Sequence, residues 1–214
     1  MSFSLRSCRL VFGLFLYAVG IFLSIRANIG LAPWDAFTIG ICNLTGFSYG
    51  WISISIGVVI LVLDYFMNEM VGYGTILNIF LIGWFVDLLV FLNLVPYISN
   101  FFLGVLVLLL GQVVISFGSY FYIGAAFGCG PRDFLMVALG KRLPKLPIGV
   151  VRGMIESTVL FMGFMMNAKV GLGTVIAACG ISFIMQYVFS FLHFDVKGVK
   201  HETLGYTLRN HWFR

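Results

Sequence analysis

Apolar side chains run almost continuously along the chain and are interrupted by short polar segments. Because the runs do not alternate with polar residues, they are typical of membrane-spanning helices and not of a β-barrel. Most of them approach the length that a helix needs to cross a bilayer. The pattern predicts an all-α, polytopic transmembrane helical bundle with six spans, at residues 10–25, 49–63, 76–94, 101–122, 148–166 and 174–192.

The polar segments carry one pattern twice. A G-x-x-P-x-D motif ends at Asp35 and again at Asp133, 98 residues later. A V-G-x-G-T motif follows each copy, and its two occurrences are 99 residues apart. Fixed spacing of this kind indicates an internal repeat. The loop and turn residues of the two copies are Gly30, Pro33, Gly72, Gly74 and Thr75, then Gly128, Gly130, Pro131, Gly171, Gly173 and Thr174.

The repeat predicts two units of three spans, at about residues 10–94 and 101–192. An odd number of spans makes the second unit enter the membrane from the opposite side, so the repeats are expected to be inverted. The short segments 36–44 and 134–139 would make the units parallel if they were full spans. Nine helical residues extend only about 14 Å, less than half of a bilayer core, so we expect broken-helix segments there.

Composition and charge set the class and the orientation. The chain is 61% hydrophobic and 10% charged, which indicates an integral membrane protein. Its Lys and Arg residues concentrate before the first span, between the fourth and fifth, and after the sixth. The positive-inside rule then places both termini in the cytoplasm. We expect one transmembrane domain, residues 1–195, and a basic cytoplasmic tail, 196–214, that contacts lipid and not nucleic acid.

Polar side chains inside the spans are the candidates for function, because charge in a bilayer is costly. Asp87 and its repeat equivalent Gln186 lie within the third and sixth spans. Arg152 and Glu156 are four residues apart in the fifth span, where they can pair on one helix face. That pair is either a structural ion pair or part of a solute or proton site.

The Gly/Pro segments add Asp35, Arg132 and Asp133 to the candidate pathway residues. An acidic residue behind a Pro suits the first turn of a helix. Two interpretations stay open: the Asp residues cap short surface helices, or the half-helices lie in the membrane and line a solute path. The G-x-G-T turns are expected to be structural, with the Thr capping the next helix.

Nothing in the chain indicates an enzyme, a cofactor or a metal site. The nucleophile-elbow, metalloprotease and phosphate-loop motifs are missing, and the Cys and His residues are scattered. We therefore expect no catalytic residues, no cofactor and no metal.

The paired motifs resemble those of the YczE/YyaS/YitT group of bacterial integral membrane proteins, and most of all the YczE branch. The resemblance covers about residues 10–195 and implies a small multi-pass protein of the bacterial cytoplasmic membrane. It implies no defined activity. It is carried by Gly30, Pro33, Trp34, Asp35, Gly72, Gly74, Thr75, Gly128, Gly130, Pro131, Arg132, Asp133, Gly171, Gly173 and Thr174.

The first functional hypothesis is a small-solute transporter or permease with its site between the two repeats. A non-transporting scaffold or regulator of a partner membrane protein is the alternative, and a substrate-binding subunit of a multi-component importer is a third. The expected partners are the lipid bilayer and an unidentified small solute. Association with a second copy or another membrane protein stays open.

Overall fold

The computed structural model describes residues 3–67, 71–146, 148–195, 199 and 202–205, so most of the predicted tail, 196–214, lies outside the described residues. Helices account for all regular secondary structure in these ranges, which confirms the all-α class. In chain order they are α1 (Phe3–Ala27), α2 (Pro33–Thr45), α3 (Tyr49–Phe66), α4 (Tyr73–Leu92), α5 (Phe101–Gly124), α6 (Pro131–Arg142), α7 (Ile148–Met165) and α8 (Leu172–Phe191).

Five helices in the described part of the chain, α1, α3, α4, α5 and α8, are long and apolar enough to span a membrane. Their outer faces keep large apolar side chains exposed, for example Phe91 (85%), Phe102 (79%) and Phe183 (74%). Such faces suit contact with lipid, as expected of a multi-pass membrane protein. The predicted fifth span forms α7, an 18-residue helix that carries Arg152 and Glu156.

Helices α2 and α6 are short and begin at a proline. Each starts three residues before the predicted segment, because Pro33 and Pro131 occupy the first helical turn, where no backbone N–H is needed. Their 13 and 12 residues extend about 20 and 18 Å, short of a bilayer core of about 30 Å.

The centre of the bundle is the crossing of α1 and α5. A Cβ added to Gly13 would lie 2.8 Å from the carbonyl oxygen of Gly118, and one added to Gly20 would lie 2.5 Å from that of Gly111. Glycine at these positions lets the two backbones approach closely. Gly13 pairs with Gly118, and Gly20, which is later in α1, pairs with Gly111, which is earlier in α5. The two helices are therefore antiparallel.

The other helices pack around this crossing in matched pairs. Helix α4 packs on α1 and α8 packs on α5, while α2 packs on α7 and α6 packs on α3. If α1 to α4 are exchanged in order with α5 to α8, the α1–α4 contact becomes the α5–α8 contact, and the α2–α7 contact becomes the α6–α3 contact. One contact breaks the match: α3 packs along α4, whereas α7 has little contact with α8 in the described residues.

The first Gly/Pro loop (residues 28–33) docks on the second G-x-G-T turn (171–174). The backbone N–H of Gly173 donates to the carbonyl oxygen of Ile29 at 3.0 Å. Gly30 has φ +136°, and a Cβ there would lie 2.6 Å from a backbone nitrogen of that turn. Only glycine fits this conformation and this approach.

The second Gly/Pro loop (residues 126–131) docks in the same way on the first G-x-G-T turn (72–75). The backbone N–H of Gly74 donates to the carbonyl oxygen of Phe127 at 2.8 Å. Gly128 has φ +119°, matching the left-handed conformation at the same place in the first loop. Each turn therefore holds the loop of the other motif copy.

The threonines of the two turns make different contacts, which gives a test of this docking. Thr75 Oγ1 accepts from Gly72 N–H at 3.3 Å and donates to Cys129 O at 2.8 Å. Thr174 Oγ1 accepts from Gly171 N–H at 3.2 Å. We expect Thr75→Val to lower the free energy of unfolding by about 2–4 kcal/mol and Thr174→Val by about 1–2 kcal/mol. Denaturation of the two variants in detergent measures this; equal losses would contradict the assigned contacts.

Candidate functional site

Two adjoining chambers lie in the bundle where the N-termini of α2 and α6 meet. The first chamber has a volume of about 150 Å³ and the second about 120 Å³. Both are bordered by Tyr17, Ile21, Trp34, Arg132, Arg152 and Glu156. Since α1, α2, α6 and α7 all contribute to this shared border, the chambers are parts of one site.

Equivalent segments form the remaining walls of the two chambers. Residues 130–133 line the first chamber and residues 32–35 line the second, at the 98-residue spacing of the Pro-x-Asp motif. On α4 and α8 the walls again correspond, now at the 99-residue spacing of the G-x-G-T motif: Asn78, Ile79 and Ile82 in the first chamber, and Ala177, Ala178 and Ile181 in the second.

The residues that follow the two motif prolines contact each other between the chambers. The guanidinium carbon of Arg132 lies 4.8 Å from the centre of the Trp34 ring. This cation–π contact links the first turns of α2 and α6. This contact places Trp34 at the centre of the site.

The two motif acids differ in environment. Asp35 is 5% exposed, and its Oδ1 accepts a hydrogen bond from the Tyr49 hydroxyl at 2.8 Å. Asp133 is exposed at the first chamber, where the Tyr122 hydroxyl donates to its Oδ2 at 3.5 Å. Asp35 is thus engaged by a buried partner, whereas Asp133 is accessible to a solute.

Arg152 and Glu156 form the ion pair that their spacing predicts. Arg152 Nε lies 2.8 Å from Glu156 Oε1, and both side chains border the two chambers. The pair is partly exposed, with 51% and 25% of the side chains accessible. Their location leaves both interpretations from sequence open, since a structural ion pair can also face a solute.

Asp87 and Gln186 are not among the described residues that line the chambers. The Ser48 hydroxyl and the Gly50 N–H donate to Asp87 at 2.5 and 2.7 Å. Asp87 therefore anchors the N-terminus of α3, and this contact explains its place in an apolar helix. Gln186 is exposed on α8.

Gln112 is a site residue that sequence reasoning missed. It is 2% exposed and lines the second chamber, where its Nε2 donates to Ile176 O at 3.4 Å and its Oε1 has no hydrogen-bond partner. Its position as an isolated amide in the apolar run of α5 was the available signal. Asn78 likewise lines the first chamber.

The site can bind charged and hydrogen-bonding groups, since it presents two guanidinium groups, three carboxyl groups and two amides. No cluster of three or more His, Cys, Asp or Glu side chains suited to a metal ion occurs among the residues that could be searched, those the structure describes.

These features define a small polytopic helical membrane protein with an internal polar site. The chain belongs to a family of unknown function, DUF6198, whose model matches residues 4–190. It is 33% identical over 178 residues to an uncharacterized protein of Haemophilus influenzae, covering 83% of this chain and 80% of that protein.

Two Bacillus subtilis proteins are also similar. The uncharacterized membrane protein YczE is 33% identical over 177 residues, covering 82% of this chain and 81% of YczE. The uncharacterized protein YyaS is 24% identical over 172 residues, covering 78% and 84%. These relatives confirm the resemblance seen in the motifs. No solved structure matches the chain.

The assignment of Asp87 as an anchor of α3 gives a second test. Asp87→Leu removes both hydrogen-bond acceptors, so we expect the free energy of unfolding to fall by about 2–4 kcal/mol. Gln186→Leu changes the equivalent exposed position and should cost less than about 0.5 kcal/mol. Denaturation in detergent compares the two; a neutral Asp87→Leu would contradict the anchoring role.

Proposed function

We propose that the protein is a small-solute transporter or permease of the bacterial cytoplasmic membrane, and not an enzyme. The observation that carries this proposal is the pair of chambers whose walls are equivalent in sequence and which meet at the Trp34–Arg132 contact. Polar sites at the junction of broken helices are a recurring feature of secondary transporters.

In this proposal the chain forms two inverted three-span repeats, residues 10–94 and 101–192, with α7 as the fifth of six spans. The antiparallel crossing of α1 and α5 and the matched helix contacts support the inverted arrangement. The distribution of Lys and Arg supports cytoplasmic termini. The second Gly/Pro loop then lies toward the cytoplasm and the first toward the outside.

The two chambers would serve as alternating solute positions. Arg132 and Trp34 separate them, while Arg152 and Glu156 face both. A change in the packing of one repeat against the other would open each chamber in turn to its own side. The limited contact between α7 and α8 leaves this part of the bundle less constrained than the α3–α4 pair.

Transport by reconstituted protein tests the proposal. Liposomes containing the purified chain are loaded with a defined mixture of small amino acids, carboxylates, amines and sugars, and efflux of each is followed by mass spectrometry. We expect at least one solute to leave faster than from empty liposomes. Arg132→Gln and Glu156→Gln should reduce that rate at least about tenfold, because each loses a charged group of the site.

Arg142→Gln is the matched control, since Arg142 lies at the far end of α6 and donates to Ala138 O at 3.3 Å. It should transport like the unchanged protein. Absence of efflux for every solute would contradict the proposal. A cellular phenotype that is lost on truncation after Asp195, but kept in Arg132→Gln, would favour the scaffold function instead.

A further inference from the structure

We propose that the chambers bind a small zwitterion, a solute with one carboxylate or sulfonate and one ammonium group. This inference rests on the proposed function and names the substrate class of the same site. Its starting point is that the two chambers share one guanidinium without a salt bridge among the described residues, that of Arg132, and that each chamber adds its own hydrogen-bond acceptor.

Two guanidinium groups border both chambers, and since Arg152 is paired with Glu156, Arg132 is the one left for a solute. Its guanidinium lies over Trp34, and no carboxylate of the described residues forms a salt bridge with it. A guanidinium donates two parallel hydrogen bonds to a carboxylate, which gives both strength and orientation. Because Arg132 borders both chambers, it can hold the anionic end of a solute in either one.

The first turns of α2 and α6 strengthen this anionic subsite. Both helices exceed eight residues, and the Trp34–Arg132 contact brings their N-termini together. A helix N-terminus carries about half a positive charge and unpaired backbone N–H groups. Both features favour a carboxylate at this place.

Asp133 supplies the acceptor in the first chamber. It is exposed there, and the Tyr122 hydroxyl lies 3.5 Å away, a long hydrogen bond that leaves acceptor capacity for an ammonium group. Glu156, the other acid in this chamber, is already paired with Arg152 at 2.8 Å. Arg132 and Asp133 thus present opposite charges from neighbouring positions on one helix.

Gln112 supplies the acceptor in the second chamber. Its Oε1 is buried without a donor, and a buried unpaired acceptor destabilises the protein until a donor reaches it. This chamber also contains two acids, but Asp35 accepts a hydrogen bond from Tyr49 and Glu156 is paired with Arg152. A solute held at Arg132 by its carboxylate could therefore exchange Asp133 for Gln112 as it passes between the chambers.

Charge balance favours a solute without net charge. Arg132 and Arg152 stand against Asp35, Asp133 and Glu156, which leaves one formal negative charge among these side chains. Two helix N-termini contribute about half a positive charge each. A net anion or cation would add unbalanced charge to this low-dielectric site, whereas a zwitterion adds none.

The chamber volumes limit the solute to a small one. Volumes of about 150 and 120 Å³ have room for about four or five water molecules each, at roughly 30 Å³ per molecule. Glycine, L-alanine, β-alanine and taurine are suitable probes. Propionate and ethylamine are matched to L-alanine and lack its ammonium and its carboxylate, respectively.

Isothermal titration of the purified full-length protein in detergent tests the inference. We expect at least one zwitterion of the panel to bind at least about tenfold more tightly than either propionate or ethylamine, because each single-charge analogue leaves one subsite unpaired. Arg132→Gln and Asp133→Asn should each weaken zwitterion binding at least about tenfold. Arg142→Gln should leave it unchanged.

Binding of the single-charge ligands distinguishes a direct role of Arg132 and Asp133 from a purely structural one, which would affect both ligands alike. Arg132→Gln should weaken propionate and spare ethylamine, and Asp133→Asn should do the reverse. The comparison of ligands on the unchanged protein needs no variant to fold. Zwitterions that bind no better than both analogues would overturn the inference.

The transport assay separates failure of the substrate class from failure of the function. Efflux of a carboxylate, amine or sugar without efflux of any zwitterion would leave the transporter proposal intact and make the zwitterion inference wrong. If no compound binds and none leaves the liposomes, both the transporter proposal and the zwitterion inference are wrong.

Discussion

Hydrogen bonding of the backbone at the two Gly/Pro loops is the constraint on which the rest of the structure depends. Non-helical backbone inside a membrane protein must find partners in the protein, because hydrocarbon supplies none. Gly74 and Gly173 provide them by donating to Phe127 and Ile29. This docking allows α2 and α6 to begin inside the bundle, and the polar chambers exist because they begin there.

The contact between Trp34 and Arg132 follows from the same arrangement. The two residues occupy the same position in the two copies of the motif, and the helix packing brings these two positions into contact. If both residues were arginine, two like charges would face each other, and two tryptophans would leave this contact without a cation. The difference between the motif copies thus makes the contact attractive and gives the site one guanidinium on its axis.

Sequence could predict the loops and turns, because Gly30, Pro33 and Asp35 report local backbone requirements at fixed spacing. It could not predict which turn receives which loop, since Ile29 and Gly173 are far apart in the chain. Depth in the third span made Asp87 a candidate pathway residue, but depth alone could not predict that its hydrogen-bond partners belong to the start of another helix. The amide of Gln112 could have been found, because a single amide within an apolar helix indicates an interior polar contact.

The reciprocal docking also sets the order in which the molecule can be completed during synthesis. The first Gly/Pro loop is made early, but the turn that holds Gly30 begins at Gly171, 141 residues later. At about 5–20 residues per second, translation needs roughly 7–28 s to supply that partner. Until then the loop before α2 has no turn to dock on. The N-terminal half therefore reaches its own final depth in the bilayer only after the C-terminal half has been made.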